Sequence, residues 1–157
     1  MSDEDTRAVA RTSGRESPSC CVPHQIPVAI SPCGTKTLIP LKSVAVLDKW
    51  MPNFHRMERV CERVGATGLY PYAVSDRDGQ VSDARQFPKS SGYPEDAATG
   101  IAAALAFGLL ANKRVEISDR PIRVRQGCAM GGPRRLACGP VSTIAARLAA
   151  CGRARRA

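Results

Sequence analysis

The sequence predicts an α+β fold in which a curled mixed sheet surrounds one central apolar helix. Three observations carry this prediction. Residues 97–111 are apolar on every side for about the length of one helix, whereas surface helices of soluble proteins keep a polar face. Short runs of alternating apolar residues precede and follow that segment. Aromatic residues make up only 4% of the chain, so Val, Ile, Leu and Ala must build the core.

The N-terminal part of the chain changes character near residue 26. Residues 1–25 are rich in Ser, Arg, Asp and Glu and show no apolar periodicity, which predicts a disordered tail. Apolar positions alternate over residues 26–41, which predicts two strands. The sequence Ser31-Pro32-Cys33-Gly34 predicts the turn between them, because Pro and Gly interrupt regular structure.

Two helices and a hairpin are predicted next. Ser43 is a suitable N-cap for a short helix that ends at Trp50. A second helix begins at Pro52-Asn53, carries apolar residues at helical spacing and ends at Gly65. The hairpin consists of a strand over 69–74, a turn over 75–79 and a return strand over 81–87.

The central helix is predicted over residues 97–112, after a connecting loop over 88–94. Two further strands are predicted over 115–117 and 122–126, and residues 142–151 have the length of one short helix. The composition therefore divides the chain into three parts, which are a disordered N-terminal tail over 1–25, a folded lobe over 26–136 and a basic C-terminal tail over 137–157.

Three motifs carry a resemblance to a known family. Glu95-Asp96, Thr99-Gly100 and Ala102 resemble the signature E-D-P-A-T-G-S-A. Upstream, Arg85-Gln86-Phe87-Pro88 resembles an R-x-F-x-P segment, and downstream the run from Gln126 to Pro133 resembles Q-G-x-x-M-G-R-P. The order and the spacing of the motifs match together. On these residues, the chain resembles the PhzF family of phenazine biosynthesis proteins over roughly residues 26–134.

The resemblance implies a fold and an activity. Family members have the diaminopimelate epimerase-like fold with two pseudo-symmetric lobes, so the resemblance implies that this chain is truncated to an incomplete C-terminal lobe. It also implies an isomerase or epimerase that shifts a proton at carbon in a small carboxylic acid, without a metal or an organic cofactor. The family's principal base is a glutamate of the first lobe, so we expect little or no turnover from this chain alone.

The acidic pair before the central helix is the candidate functional site. The resemblance implies that Asp96 is the catalytic residue, which binds and orients the substrate near the centre of proton transfer. It implies that Glu95, Thr99 and Gly100 bind the substrate. Backbone N–H groups at the start of the predicted helix would then hold a carboxylate. Without the resemblance, Asp96 is an N-cap and Glu95 is a first-turn acid favoured by the helix dipole.

Several other polar residues receive structural interpretations. Arg85 is expected to form an ion pair rather than to bind substrate. His55 is expected on the exposed side of its helix. Gln126-Gly127 and Met130-Gly131 are expected to shape a tight turn.

The cysteines indicate neither a metal site nor a disulfide framework. There are seven of them, and no C-x-x-C pair occurs, so unpaired thiols in a reducing compartment are expected. Racemases of the wider superfamily use paired cysteines as acid and base. The motif position carries Asp96 here, as in the PhzF branch, so Cys33 and Cys128 are disfavoured as nucleophiles.

The distribution of charge narrows the choice of partners. The net charge is +9, and residues 134–157 contain six arginines and no acidic residue. Such a tail suits nucleic acid, but no aromatic residues for base stacking accompany it, so nucleic acid is the least favoured partner. Residues 1–25 lack the apolar segment of a signal peptide, and residues 97–111 are too short to cross a bilayer. We therefore expect a cytoplasmic protein with no membrane partner.

Two kinds of function remain open at this point. The isomerase hypothesis expects a small-molecule carboxylate as substrate, and either a homodimer or a separate chain that supplies the first lobe. The alternative is a non-catalytic binding or oligomerisation module derived from the same fold. An incomplete lobe exposes apolar surface, and such surface favours association.

Overall fold

The computed structural model of this protein describes residues 3–12, 28–31, 34–78, 80–90, 92–96, 119–132 and 134–140. Its helices are α1 (Asp3–Ala10), α2 (Val44–Lys49) and α3 (Phe54–Val64). Its strands are β1 (Val28–Ser31), β2 (Gly34–Pro40), β3 (Gly68–Asp76), β4 (Val81–Ala84), β5 (Phe87–Pro88), β6 (Pro121–Gln126) and β7 (Arg134–Pro140). A short 3-10 helix, Cys128–Met130, lies between β6 and β7.

One open, mixed sheet organises the described residues. Its strands lie in the order β1-β2-β3-β4-β6-β7, and β5 pairs with the first residues of β3. The pairs β2–β3 and β4–β6 are parallel, and the other pairs are antiparallel. Parallel neighbours need a crossover connection, and α2 and α3 supply the one between β2 and β3. The sheet and its helices confirm the predicted α+β class.

Side-chain caps set the bounds of α2 and α3. The Ser43 hydroxyl accepts the N–H of Val46 at 3.3 Å, and the Asn53 side chain accepts the N–H of Arg56 at 3.0 Å. At the other end of α3, Gly65 adopts the left-handed conformation with φ of 65°, which a residue without a Cβ reaches at little cost. Both predicted helices are confirmed.

Among the described residues, no helix is both long enough and apolar enough to cross a membrane.

Helices α2 and α3 pack on one face of the sheet. The apolar core of this face contains Val9 of α1, Ile39 and Leu41, Leu47 and Trp50, Met57 and Cys61, Ala66, Leu69, Ala73 and Phe87. At its centre, the rings of Trp50 and Phe87 lie 5.3 Å apart between centroids and are tilted by 56°. Such ring pairs contribute about 0.5–1.5 kcal/mol beyond the burial of their area.

The centre of the opposite face of the sheet is also buried. Leu38, Tyr70, Ile122 and Val124 alternate along their strands with residues of the helix-side face, and each is at most 1% exposed. The parallel register sets Tyr70 beside Leu38. A sheet that is buried on both faces is typical of a layer inside a domain. The predicted central helix over 97–112 and the predicted strand over 115–117 lie outside the described residues.

The structure differs from the predicted disordered tail within residues 1–25, because residues 3–10 form α1. Val9 is fully buried in the helix-side core. The N–H of Asn53 donates to the carbonyl of Thr12 at 2.7 Å, and Arg63 forms an ion pair with Glu4 at 3.2 Å. The polar composition of residues 1–25 gave no indication that Val9 packs into the core beside α3. Such tertiary contacts stabilise a helix that is too short to be stable alone. Residues 13–27 lie outside the described residues.

Two strand boundaries also differ from the predictions. The return strand predicted over 81–87 is divided into β4 and β5, because Gln86 leaves the ladder to bridge to Asp96. The boundary predicted between residues 136 and 137 falls inside β7, whose register sets Leu136 opposite Val124. The arginine-rich composition gave no sign of this pairing. The short helix predicted over 142–151 lies outside the described residues.

Candidate functional site

Asp96 lies beside the break between β4 and β5. Its N–H donates to the carbonyl of Gln86 at 3.0 Å, which forms an isolated antiparallel bridge between the two residues. Its own carbonyl accepts a hydrogen bond from Nε2 of Gln126 at 2.9 Å. Asp96 is half-buried. Both backbone polar groups of the predicted catalytic residue are therefore bonded to two other segments of the chain.

Gln126 connects Asp96 to the interior of the sheet. The residue ends β6, and its Oε1 accepts a hydrogen bond from the Tyr70 hydroxyl at 2.9 Å. Tyr70 and Gln126 are both fully buried. Directly after Gln126 the chain turns, with Gly127 at φ of 82° and Gly131 at φ of 84°. The expected tight turn is confirmed, and it ends the strand at the residue that reaches Asp96.

Glu95 forms an ion pair with Arg85. Nε and Nη2 of Arg85 donate to the two carboxylate oxygens of Glu95 at 2.8 and 2.6 Å. The side chains of Arg85 and Glu95 are only 6% and 10% exposed, and paired, two-pronged contacts of this kind are among the strongest hydrogen bonds in proteins. The expected ion pair of Arg85 is confirmed. The substrate-binding role of Glu95 stays a prediction.

Arg85 also binds the C-terminal end of α2. Its Nη1 donates to the carbonyls of Leu47, Asp48 and Trp50 at 3.1, 3.2 and 2.6 Å. A cation is favoured at this end of a helix, where carbonyls lack partners within the helix. The guanidinium lies 5.0 Å from the centre of the Phe87 ring. One buried side chain thus joins α2 to the residue that precedes Asp96.

Thr99 and Gly100 lie outside the described residues, as does the helix start that they were expected to form. Their substrate-binding roles stay predictions. Cys33 lies outside the described residues as well. His55 is exposed on α3, as expected. The described part of the predicted site therefore consists of Glu95, Asp96 and the residues that contact them.

A second polar cluster lies on the helix-side face of β4 and β6. Oδ2 of the buried Asp83 accepts from Nη2 of Arg125 at 2.5 Å, and Sγ of Cys128 lies 3.8 Å from Oδ1 of Asp83. The hydrogen bond to Asp83 raises the pKa of Arg125. Burial, and then the charge of Asp83, raise the pKa of the Cys128 thiol above its ordinary value. A raised pKa lowers the fraction of thiolate, which is unfavourable for a nucleophile.

Within the described ranges, no group of three or more His, Cys, Asp and Glu side chains is arranged to hold a metal ion. Two ion pairs lie in this part of the structure. Arg85 pairs with Glu95, and Arg125 pairs with Asp83. Each pair joins two separate segments of the chain.

An open groove of about 500 Å³ lies between the start of α3 and the loop over 88–94. Phe54, Met57 and Tyr93 supply its apolar lining, and Glu58 and Lys89 supply its charges. Asp96 is not among the lining residues. The groove ends along the chain at Pro94, directly before the acidic pair.

Sequence reasoning missed Tyr70 and the contact role of Gln126. Gln126 was expected only in a turn, and Tyr70 only in an apolar strand. One signal was available, because a buried tyrosine usually needs a hydrogen-bond partner for its hydroxyl. The sequence did not identify that partner, which lies 56 residues further along the chain.

The fold is that of known PhzF structures. A phenazine biosynthesis protein of the PhzF family from Bacillus anthracis superposes with a TM-score of 0.69 and 18% identity, over 84% of this chain and 45% of that protein. A predicted epimerase from Pseudomonas aeruginosa superposes with a TM-score of 0.66 and 22% identity, over 87% of this chain and 45% of that protein. The molecule is thus an α+β protein with the PhzF, diaminopimelate epimerase-like fold.

The sequence assigns the family. The PhzC-PhzF family model, described as phenazine biosynthesis-like protein, matches residues 1–142. The chain therefore belongs to this family. It is also similar to an uncharacterized isomerase of Clostridium acetobutylicum, with 28% identity over 101 residues, which make up 62% of this chain and 33% of that protein. The chain spans less than half of the length of these relatives.

Proposed function

We propose that this chain is the substrate-orienting part of a PhzF-like isomerase. The substrate is a small carboxylic acid, and the reaction is a cofactor-independent proton shift at carbon. Asp96 binds and orients the substrate, and a glutamate of a first lobe, supplied by another polypeptide segment, abstracts the proton. The chain alone then has little or no turnover.

The position of Asp96 is the observation that carries this proposal. Its backbone is bonded on both sides, to Gln86 and to Gln126, and Arg85 holds the residue before it. A residue that orients a substrate must itself be fixed, because a small misplacement of reacting groups costs much of the rate. Family membership adds the class of reaction, since the curated relative is described as an isomerase.

The chemistry of a carboxylate suits this role. An ionised Asp accepts hydrogen bonds only, so Asp96 would bind a hydroxyl or amino hydrogen of the substrate rather than its carboxylate. The substrate's own carboxylate needs N–H donors, and Thr99 and Gly100 are the residues that we propose to supply them. General acid–base transfer at the adjacent carbon then needs one further group within hydrogen-bond reach.

Titration of the isotope-labelled chain with acetate, lactate, alanine and succinate tests the binding role. We expect lactate or alanine, which carry a hydroxyl or an amino group beside the carboxylate, to shift the amide NMR signals of Gln86, Asp96 and Gln126. Acetate and succinate lack such a group and serve as controls whose binding does not depend on Asp96. Asp96→Asn should weaken the binding of lactate or alanine at least about tenfold, which is about 1.4 kcal/mol. Asp78→Asn, a matched change on an exposed turn, should leave the affinity unchanged.

The same samples in heavy water test whether this chain orients the substrate without abstracting its proton. We expect no deuterium at the α-carbon of lactate or alanine with the chain alone. Rapid incorporation that Asp96→Asn abolishes would show that the base lies in this chain. Equal affinity of lactate and alanine for the native chain and for Asp96→Asn would refute the role of Asp96.

A non-catalytic oligomerisation module is the second candidate. It is favoured by the exposure of large apolar side chains around one groove. Phe54 and Tyr93 line the groove and are 38% and 50% exposed, and Met51, three residues before Phe54, is 46% exposed. A second copy of this chain is the proposed occupant.

A further inference from the structure

We propose that Gln126 is a positioning residue for Asp96, and that the Tyr70 hydroxyl holds the side-chain amide of Gln126 in place by donating to its oxygen. This inference deepens the proposed function and rests on it. The contacts form a chain of hydrogen bonds, in which Tyr70 donates to Oε1 of Gln126, and Nε2 of Gln126 donates to the carbonyl of Asp96, both at 2.9 Å.

The partners leave only one orientation for the amide of Gln126. The carbonyl of Asp96 can only accept a hydrogen bond, so Gln126 must direct its NH₂ group there. Its Oε1 then faces Tyr70, and the hydroxyl must donate. The reverse orientation would set two acceptors, Oε1 and the carbonyl of Asp96, against each other. The carbonyl of Asp96 therefore specifies the orientation of the Gln126 amide, and the Tyr70 hydroxyl holds that orientation by donating to Oε1.

Burial makes these contacts costly to lose. Tyr70 and Gln126 are fully buried, so water does not replace a lost partner without a change in the structure. An unsatisfied buried polar group costs about 1–3 kcal/mol. The chain of bonds is consequently a constraint on the backbone at Asp96 rather than a surface contact that forms and breaks freely.

A second constraint acts on the neighbouring residue. The ion pair with Arg85 holds Glu95, and Arg85 is bound in turn to the carbonyl end of α2. Asp96 thus follows a fixed side chain and carries a fixed carbonyl. Its N–H is bonded to Gln86. With the backbone held at these points, Gln126 and the bridge to Gln86 together fix the place in the fold from which the Asp96 side chain starts.

The variant Gln126→Glu tests this inference, because it replaces the NH₂ donor by a carboxyl oxygen and keeps the size of the side chain. An ionised carboxylate in this place would oppose the carbonyl of Asp96, whereas a protonated one can donate to it. The folded-state pKa of the introduced carboxyl should therefore be raised. Its stabilising contact is present below the unfolded-state pKa and is lost as the pH rises through the folded-state pKa.

The measurement is the amide signal of Asp96 and its hydrogen-exchange rate by NMR, at pH 4 and pH 8. In Gln126→Glu, we expect the Asp96 amide to exchange at least about tenfold faster than in the native chain at pH 8, and to approach the native value at pH 4 after correction for intrinsic exchange. Gln80→Glu is the matched control and should leave the exchange rate of the Asp96 amide unchanged at both pH values. Identical Asp96 exchange in the native chain and in Gln126→Glu at pH 8 would overturn the inference.

The variant Tyr70→Phe keeps the test decisive if Gln126→Glu does not fold. It removes only the hydroxyl that donates to Gln126, and we expect a smaller acceleration of exchange at the Asp96 amide. An unchanged Asp96 amide in Tyr70→Phe would overturn the inference too. Neither readout needs a substrate, so this inference and the proposed function can fail separately. Binding of lactate and alanine that is unchanged in Asp96→Asn refutes the function and leaves the positioning intact.

Discussion

At the scale of single residues, Arg85 connects two separate parts of the described site. Its guanidinium reaches Glu95 on one side and three carbonyls at the end of α2 on the other. A planar group with five donors can satisfy such a set, whereas a lysine ammonium with three cannot do so in one plane. Arg85 therefore links a structural helix to the predicted catalytic segment.

We expect Arg85→Gln to destabilise the protein by about 3–5 kcal/mol. Removing one partner of a buried ion pair leaves the other charge, Glu95, buried without compensation. The measurement is urea unfolding followed by circular dichroism. Arg59→Gln, on the exposed side of α3, is the control and should change stability by less than about 0.5 kcal/mol. Equal midpoints for the two variants would contradict a structural role for Arg85.

Sequence reasoning identified some of these residues but few of their partners. The family motifs singled out Asp96, Glu95 and Arg85, because each lies inside a recognisable pattern. Their contacts with Gln126 and α2 join residues 30 to 38 positions apart. Local periodicity and spacing carry no information about contacts over such separations, so the network around Asp96 needed the structure.

At the scale of elements, the parts that local chemistry defines were predicted well. Ser43 and Asn53 cap their helices, and Gly65 ends α3, where the sequence predicts these events. Elements that depend on distant partners were predicted poorly. α1 exists through its docking on α3, and the break between β4 and β5 depends on the bridge from Gln86 to Asp96. Helix α1 and that break therefore escaped a prediction based on composition and periodicity.

Gly68 offers a test of the pairing between β3 and β5. A Cβ at this position would lie 2.4 Å from the carbonyl oxygen of Phe87, whereas a Cβ at Gly65 would meet nothing within 4 Å. We expect Gly68→Ala to cost about 3 kcal/mol, because the strands must separate to admit it. Gly65→Ala should cost about 1 kcal/mol for its left-handed backbone alone. Thermal or urea unfolding of both variants measures the difference, and equal losses would contradict the close approach.

At the scale of the whole molecule, the sheet has one face that is covered by helices and a second face that is buried at its centre. The pairs Arg125–Asp83 and Tyr70–Gln126 lie on these two faces. The arrangement matches PhzF structures that are about twice as long as the matched region. The fold was predictable because its motifs occur in the right order along the chain. The core of the predicted lobe, residues 97–112, lies outside the described residues, so its central helix stays a prediction.

Self-association is the property of the whole molecule that tests the second candidate function. The oligomerisation module predicts an apparent mass that rises with concentration in size-exclusion chromatography with light scattering. Tyr93→Ser, at the groove, should then reduce the dimer fraction, and Val74→Ser should not, although Val74 is 40% exposed. A protein that stays monomeric at every concentration would refute the oligomerisation function. Equal effects of the two variants on the dimer fraction would show that the groove is not the interface.

The parallel register of β4 and β6 limits which insertions and deletions the chain can accept during evolution. Arg125 stands beside Asp83, and Gln126 beside Ala84, on opposite faces of one strand. Loss or gain of a single codon inside β6 would exchange the two faces, which would turn the guanidinium toward Tyr70 and the amide toward Asp83. Changes of length in this part of the protein should therefore accumulate in the connections and spare the six residues of the strand.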